Sequence, residues 1–154
     1  GLKLFLVVSH TGDVVGFKLT PANVPDNQLH LLLNLLSGIT GKVFGDKGFI
    51  SQPAQEVLNK QGTVLITKPR KNMRSKTLKA YERYYLSKRG MIESIFDILM
   101  TQCDIDHTRH RSPVNAIVHT LAGILAYSHF LRKPRVEKVS YSEIIREYLS
   151  LDAA

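Results

Sequence analysis

The sequence predicts an α/β fold: a mixed sheet flanked by helices, with further helices toward the C-terminus. Three observations carry this prediction. Two short runs rich in β-branched and aromatic residues, 2–8 (LKLFLVV) and 14–19 (VVGFKL), flank a polar stretch containing Gly12. A strand, helix and strand pattern fills residues 42–67, and beyond residue 86 the apolar side chains recur at helical spacing. The 154 residues are 44% hydrophobic and 22% charged, close to the globular average and long enough for one core.

The elements follow in order. The two opening runs read as an antiparallel hairpin turning through residues 9–13. After Pro21 and Pro25, Asp26 can cap a helix carrying Leu29, Leu32, Leu33 and Leu36 on one face, which Gly38 stops. Residues 42–45 make a short strand ending at Asp46. Ser51 then caps a helix to about Gln61, and 63–67 (TVLIT) is the next strand. Two strands joined by a crossover helix should be parallel and right-handed, which together with the hairpin implies a mixed sheet. A helix is expected from about Leu86 to Cys103 with Ile92, Ile95, Phe96 and Leu99 as its apolar stripe. Another runs from Ser112 and Pro113 to about Phe130, and a last amphipathic one spans roughly Tyr141 to Leu149.

Charge is the informative part of the composition. Lys and Arg number 21 against 13 Asp and Glu, giving +8. Between Lys68 and Gly90 stand Lys68, Arg70, Lys71, Arg74, Lys76, Lys79, Arg83, Lys88 and Arg89 against the single acid Glu82, so this stretch alone accounts for the whole net charge of +8. A basic segment on a neutral body is the footprint of a polyanionic partner, although a solvated loop could look the same. The lone Cys103 forms no internal disulfide and fits a reducing, cytoplasmic setting. Apolar stretches such as 4–8 and 121–127 fall far short of the roughly 20 residues needed to span a bilayer, so no membrane partner is expected. The chain opens at Gly1 directly in strand-like sequence, which points to a fragment.

Asp46, in G-D-K-G after a predicted parallel strand, stands at the carboxyl-end crevice where open α/β sheets bind ligands, and could hold a metal or activate water. It could equally be a turn aspartate bonding nearby backbone amides. Glu93 borders the apolar stripe of its helix, where an i−4 pair with Arg89 is the structural reading. The functional reading needs Asp46 to face it, since two or three carboxylates can hold two Mg²⁺ ions about 4 Å apart for phosphodiester cleavage. Residues 103–111 gather Cys103, His107 and His110, but this cluster has no fourth ligand of standard spacing, which argues against zinc. Arg109 and Arg111 with the two histidines are better placed to bond phosphate or to tie two helices together. His119 and His129 read as buried, hydrogen-bonded helix residues. Tyr81, Tyr84 and Tyr85 interleave with the basic run and could stack on unpaired bases or anchor the segment to the core. No phosphate loop, nucleophile elbow or dinucleotide fingerprint is present.

Five ordered blocks, F-K-L-T-P-A-N-V (17–24), V-F-G-D-K-G-F-I-S (43–51), L-I-T-K-P-R-K-N-M (65–73), K-R-G-M-I-E (88–93) and D-H-T-R-H-R-S (106–112), resemble the catalytic domain of DDE-type bacterial insertion-sequence transposases. The likeness covers roughly residues 1–134, leaving 135–154 as a helical tail. It implies an RNase H-like domain with a two-metal Mg²⁺ or Mn²⁺ site that cuts DNA at transposon ends and joins it to target DNA. It further implies DNA as partner, possible action as a homodimer, and a cytoplasmic, nucleoid-associated location. Carried over, Asp46 and Glu93 are the second and third catalytic, metal-binding carboxylates, and Arg89 contacts phosphate. Lys68, Arg70, Lys71, Arg74, Lys88, Arg109 and Arg111 complete the expected DNA-binding set.

Two features depart from the family pattern. The first catalytic aspartate belongs on a strand preceding the hairpin, which this chain does not contain, and Asp13 in the hairpin turn is no match for it; such a chain is expected to be inactive alone. The family lysine seven residues after the glutamate is replaced by Met100. The alternative reading is a non-catalytic basic nucleic-acid-binding module.

Overall fold

The computed structural model describes residues 1–69, 78–106, 110–140, 142–144 and 146. Its elements are strands β1 (Leu2–Val8) and β2 (Val14–Pro21), helix α1 (Leu29–Leu35), strand β3 (Gly41–Gly45), helix α2 (Gln52–Lys60), strand β4 (Thr63–Thr67) and helices α3 (Ala80–Ser87), α4 (Gly90–Thr101) and α5 (Pro113–Ser128). The expected last helix lies for the most part outside the described residues. The chain forms two compact units, one of residues 1–3, 20–89 and 138–154, the other of residues 4–19 and 90–137.

The strands pair as β1 with β2 and β3 with β4, two two-stranded sheets where the strand order suggested one mixed sheet. Alternation of side chains reports which face of a strand is buried. Which edges meet is decided by long-range packing that the pattern does not encode. The hairpin runs antiparallel, since Ala22 N–H bonds Gly1 O at 2.9 Å at one end and Ser9 N–H bonds Asp13 O at 2.8 Å at the other.

In the first unit β3 and β4 are parallel, in the register Gly41 to Thr63, Val43 to Leu65, Phe44 to Ile66 and Gly45 to Thr67. Helix α2 makes the crossover, packing on β4, and α1 packs on α2, burying Leu31, Leu32, Leu35, Ala54 and Leu58 with Leu65 and Ile66 of β4. Gln55 ties α2 to β4 by donating to Leu65 O at 2.9 Å, and Thr63 Oγ1 donates to Ile39 O. Ser51 occupies the N-cap of α2 and Gly62, at φ +82°, follows its end, as expected. Asp26 does not cap α1. Gln28 takes that place, and Asp26 instead pairs with Lys3 Nζ at 2.9 Å, because a charged partner outcompetes the backbone amides for the carboxylate.

In the second unit α4 and α5 pack together, and Ile95, Leu99, Ile124 and Tyr127 form a core joined by Leu4, Leu6, Val14, Met91 and Ile98. The buried stripe of α4 is thus centred between Met91, Ile95, Ile98 and Leu99. Ile92 and Phe96, expected in it, are half-buried at its margin. Helix α4 ends where Asp104 takes φ +56°, with Ile105 N–H reaching back to Leu99 O at 3.2 Å. Gly123 lets this connector approach α5: a Cβ there would stand 2.2 Å from Ile105 Cγ2.

The hairpin turn is clamped by the end of α5. Fully buried Tyr127 donates its hydroxyl to Gly12 O at 2.8 Å, Val136 N–H bonds His10 O at 2.8 Å, and Lys133 Nζ bridges Asp13 Oδ1 at 2.6 Å and Ser128 O at 2.8 Å. Gly12, at φ +86°, has Pro134 O 2.2 Å from where a Cβ would be, so only glycine fits. On its other side α5 exposes Val114, Ile117, Val118, Leu121 and Leu125.

Two outcomes follow. Gly-to-Ala in a helix interior normally stabilises by up to about 1 kcal/mol. Gly123→Ala is instead expected to cost about 1–3 kcal/mol in urea denaturation through overpacking on Ile105, with part of the loss recovered in the Gly123→Ala, Ile105→Ala double variant. Hydrogen bonds from Lys133 and then Thr11 hold the Asp13 carboxyl below the usual range. A depressed folded-state pKa stabilises the protein above the unfolded value of about 3.9, and that contribution is lost as pH falls through the folded value. The stability difference between the protein and Asp13→Asn should therefore be flat from neutral pH to about pH 5 and close below about pH 3.9.

Candidate functional site

In the first unit the site is built on β3. Successive side chains of a strand alternate in direction, so Lys42 and Phe44 share a face, and the extended backbone at Asp46 (φ −76°, ψ 161°) carries the alternation one step beyond the strand. Helix α3 packs on β3 and meets all three. Lys42 Nζ lies 3.0 Å from Glu82 Oε1 and 4.1 Å from the centroid of the Tyr81 ring. Phe44 meets Tyr85 with ring centroids 5.3 Å apart, and Asp46 Oδ1 accepts from Arg89 Nη1 at 2.8 Å. From Lys42 to Phe44 the strand advances about 6.6 Å and from Tyr81 to Tyr85 the helix advances about 6.0 Å, while Arg89 stands in the turn just past α3. The two elements therefore keep step, and the last pair brings Arg89 onto Asp46.

Helix α3 is the element that the periodicity of apolar residues did not announce. One long helix was expected from about Leu86 to Cys103; in its place α3 ends at Ser87, Lys88 N–H reaches back to Tyr84 O and Tyr85 O at 3.3 and 3.2 Å, and α4 begins at Gly90. Glycine at the joint disfavours continuing the helix. The face of α3 is Tyr81, Tyr84, Tyr85 and Lys88, at i, i+3, i+4 and i+7, a helical period written in tyrosine and lysine rather than in leucine. Glu82, the one acid of the basic segment, accepts from Lys79 N–H at 3.0 Å and closes the first turn. That backbone hydrogen bond, followed by Lys42, lowers its pKa below the ordinary glutamate value.

Glu93 belongs to the second unit, exposed in the first turn of α4, where a carboxylate is favoured by the helix dipole. The expected i−4 relation between Arg89 and Glu93 is not that of one continuous helix, because the joint separates them. Asp46 and Glu93 thus lie in different units, each placed by its own surroundings. Among the described residues no group of three His, Cys, Asp or Glu side chains is arranged to hold a metal ion.

Of the expected DNA contacts, Lys68 is exposed just past β4, Arg111 is exposed before α5, and Lys88 lies 4.7 Å from the Tyr84 ring centroid. Arg70, Lys71, Arg74 and Arg109, with His107, fall outside the described residues. His119 is half-buried and hydrogen-bonds Asp104 O at 2.8 Å, tying α5 to the connector; its ring stands 5.3 Å from that of His110. His129 was expected to be buried. It is exposed, since α5 ends one residue earlier, and its Nδ1 lies 2.9 Å from Leu125 O. Burial raises the Cys103 thiol pKa above its ordinary value. No helix among the described residues is long and apolar enough to cross a membrane.

Residues 1–113 match the family described as transposase DDE domain, which is well over half of the 154 residues. The chain belongs to this transposase family. No match is found among curated proteins or among solved structures. Membership associates the domain with transposition-related cleavage of DNA, and the matched region contains β3 with Asp46, the α3 face and α4 with Glu93.

The Asp46 and Arg89 side chains are each 51% exposed, so their ion pair should be weak. A double-mutant cycle of Asp46→Asn and Arg89→Gln is expected to give a coupling of about 0.2–1 kcal/mol that shrinks as salt is raised.

Proposed function

We propose that this transposase domain takes part in metal-dependent DNA strand cleavage and strand transfer at transposon ends, with Asp46 and Glu93 as two of its metal ligands. The observation that supports it most is the cation already standing on Asp46, the Arg89 guanidinium at 2.8 Å from Oδ1. A positively charged group accepted there marks a carboxylate that is half open, aimed outward and not consumed by turn amides. Carboxylates are also the right donors. Mg²⁺ and Mn²⁺ prefer hard oxygen ligands, and Mg²⁺ is usually bound through one or two carboxylates together with substrate phosphates. When bound, such ions would stabilise the attacking and leaving oxygens of the phosphodiester.

The chain's own residues have the remaining roles. Asp46, held at the end of β3, and Glu93, in the first turn of α4, supply oxygens. Arg89 presents a planar guanidinium able to pair two phosphate oxygens at once, and an incoming phosphate competes with Asp46 for it. Lys68, Arg70, Lys71, Arg74, Lys88, Arg109 and Arg111 neutralise the strand on either side. In the sequence the basic stretch ends at Arg89, the residue that pairs with Asp46.

The test is calorimetric titration of Mg²⁺ or Mn²⁺ into the protein and into Asp46→Asn and Glu93→Gln. Each substitution is expected to weaken metal affinity tenfold or more, about 1.4 kcal/mol or above. Equal affinity in all three proteins would sink the carboxylate assignment and leave a non-catalytic nucleic-acid-binding module.

A further inference from the structure

We propose that the tyrosine and lysine face of α3 together with Lys42 of β3 is a binding site for unpaired nucleotides of DNA, Tyr81 and Tyr84 serving as stacking platforms and Lys42 and Lys88 as phosphate contacts. The inference rests on the proposed function in one respect only, that the ligand is DNA.

The geometry separates the three tyrosines. Tyr85 is committed to the fold, set against Phe44 at 5.3 Å and against the edge of Tyr84 at 5.2 Å, with the rings of the latter pair 83° apart. Tyr81 and Tyr84 are half-buried, so each is anchored yet retains accessible ring surface. Each also has a lysine ammonium over its ring, Lys42 at 4.1 Å from the Tyr81 centroid and Lys88 at 4.7 Å from the Tyr84 centroid. A cation over a partly accessible ring is held by only about 0.5–1 kcal/mol, so Lys88 yields readily to a base, while Lys42, which also pairs with Glu82 at 3.0 Å, exchanges between that carboxylate and the incoming phosphate. The displaced ammonium remains beside the ring on its four-carbon stem, where the phosphate of the same nucleotide would lie. A ring and a neighbouring cation, repeated twice along one short helix, match the repeat of a single strand: a flat base, then a charge.

Duplex DNA does not satisfy this arrangement, because its bases are stacked on one another and offer no free face. Single-stranded binding surfaces combine aromatic platforms with a positive track and tolerate any sequence, since every base has a π face. The exposed Lys79 and Arg83 of the same segment extend the positive track, and Phe44 leads along one face of β3 to Asp46. Rigid mounting matters as well. Tyr85 and buried Leu86 fix α3, so the two platforms are ordered before the strand arrives and little side-chain entropy remains to be lost.

The experiment is fluorescence anisotropy with the full chain, in the absence of divalent metal, using an oligothymidine of about 12 nucleotides and a hairpin duplex of similar charge. Tyr81→Leu and Tyr84→Leu should each weaken single-strand binding by about 5- to 100-fold, with duplex binding changed less than twofold. Tyr84→Phe, which keeps the ring, should bind the single strand as the parent does, and circular dichroism confirms that each variant folds. Leucine variants that bind the single strand like the parent, or that lose single strand and duplex equally, would reduce the rings to packing and overturn the proposal. So would a parent protein that prefers duplex. Because no metal is present in this measurement, a failed metal titration and a failed stacking site are separate results.

Discussion

The contact between α3 and β3 is what the candidate site depends on. A helix and a parallel strand share no repeat, yet four residues of one and two of the other advance by nearly the same length, about 6.0 and 6.6 Å. From Lys42 to Phe44, matched by Tyr81 to Tyr85, the mismatch is only about 0.6 Å, small enough for long side chains to absorb, and Arg89 reaches Asp46 from the turn that follows α3. The three contacts differ in chemistry, an ion pair with a cation over a ring, an aromatic pair, then a second ion pair, and the middle one supplies the apolar burial. The outer two are partly exposed and individually weak. They act as markers of register more than as sources of stability.

The rest of the first unit serves this contact. Pairing in parallel with β4 places Phe44 beside buried Ile66, and the crossover through α2 covers β4 with Ala54 and Leu58. The second unit is organised differently. Its hairpin turn is held by hydrogen bonds from residues more than a hundred positions away, Tyr127 to Gly12 and Lys133 to Asp13, around a core of two crossing helices. Neither arrangement uses a disulfide, since Cys103 is free, and in the second unit Gly12 and Gly123 admit close neighbours that a side chain would exclude.

What could be read from the sequence followed from strictly local rules. Alternation and β-branching located β1, β2 and β4; Ser51 and Gly62 bounded α2; Ser112 and Pro113 marked the start of α5. Errors arose wherever a distant group decided. Asp26 looked like a cap and found Lys3 instead. Helix α3 does not stand out by apolar periodicity because its period is carried by Tyr81, Tyr84, Tyr85 and Lys88 within a basic segment. Asp46 was singled out from its place after a strand, and the resemblance named Arg89. That the two touch required knowing that α3 exists and lies along β3. The period-two link from Lys42 through Phe44 to Asp46 was present in the sequence and lacked only a partner to give it meaning.

The matched strides of α3 and β3 also constrain how this region can change. Substitutions within the strip alter one contact at a time. Loss or gain of one residue in β3 is different in kind, because it turns every later side chain to the opposite face and sends Asp46 away from Arg89. One residue inserted in α3 after Tyr85 rotates the turn that follows it by about 100°, and Arg89 with it. The short stretch from Lys42 to Asp46 and the stretch from Tyr81 to Arg89, α3 with its closing turn, should therefore vary in composition but not in length.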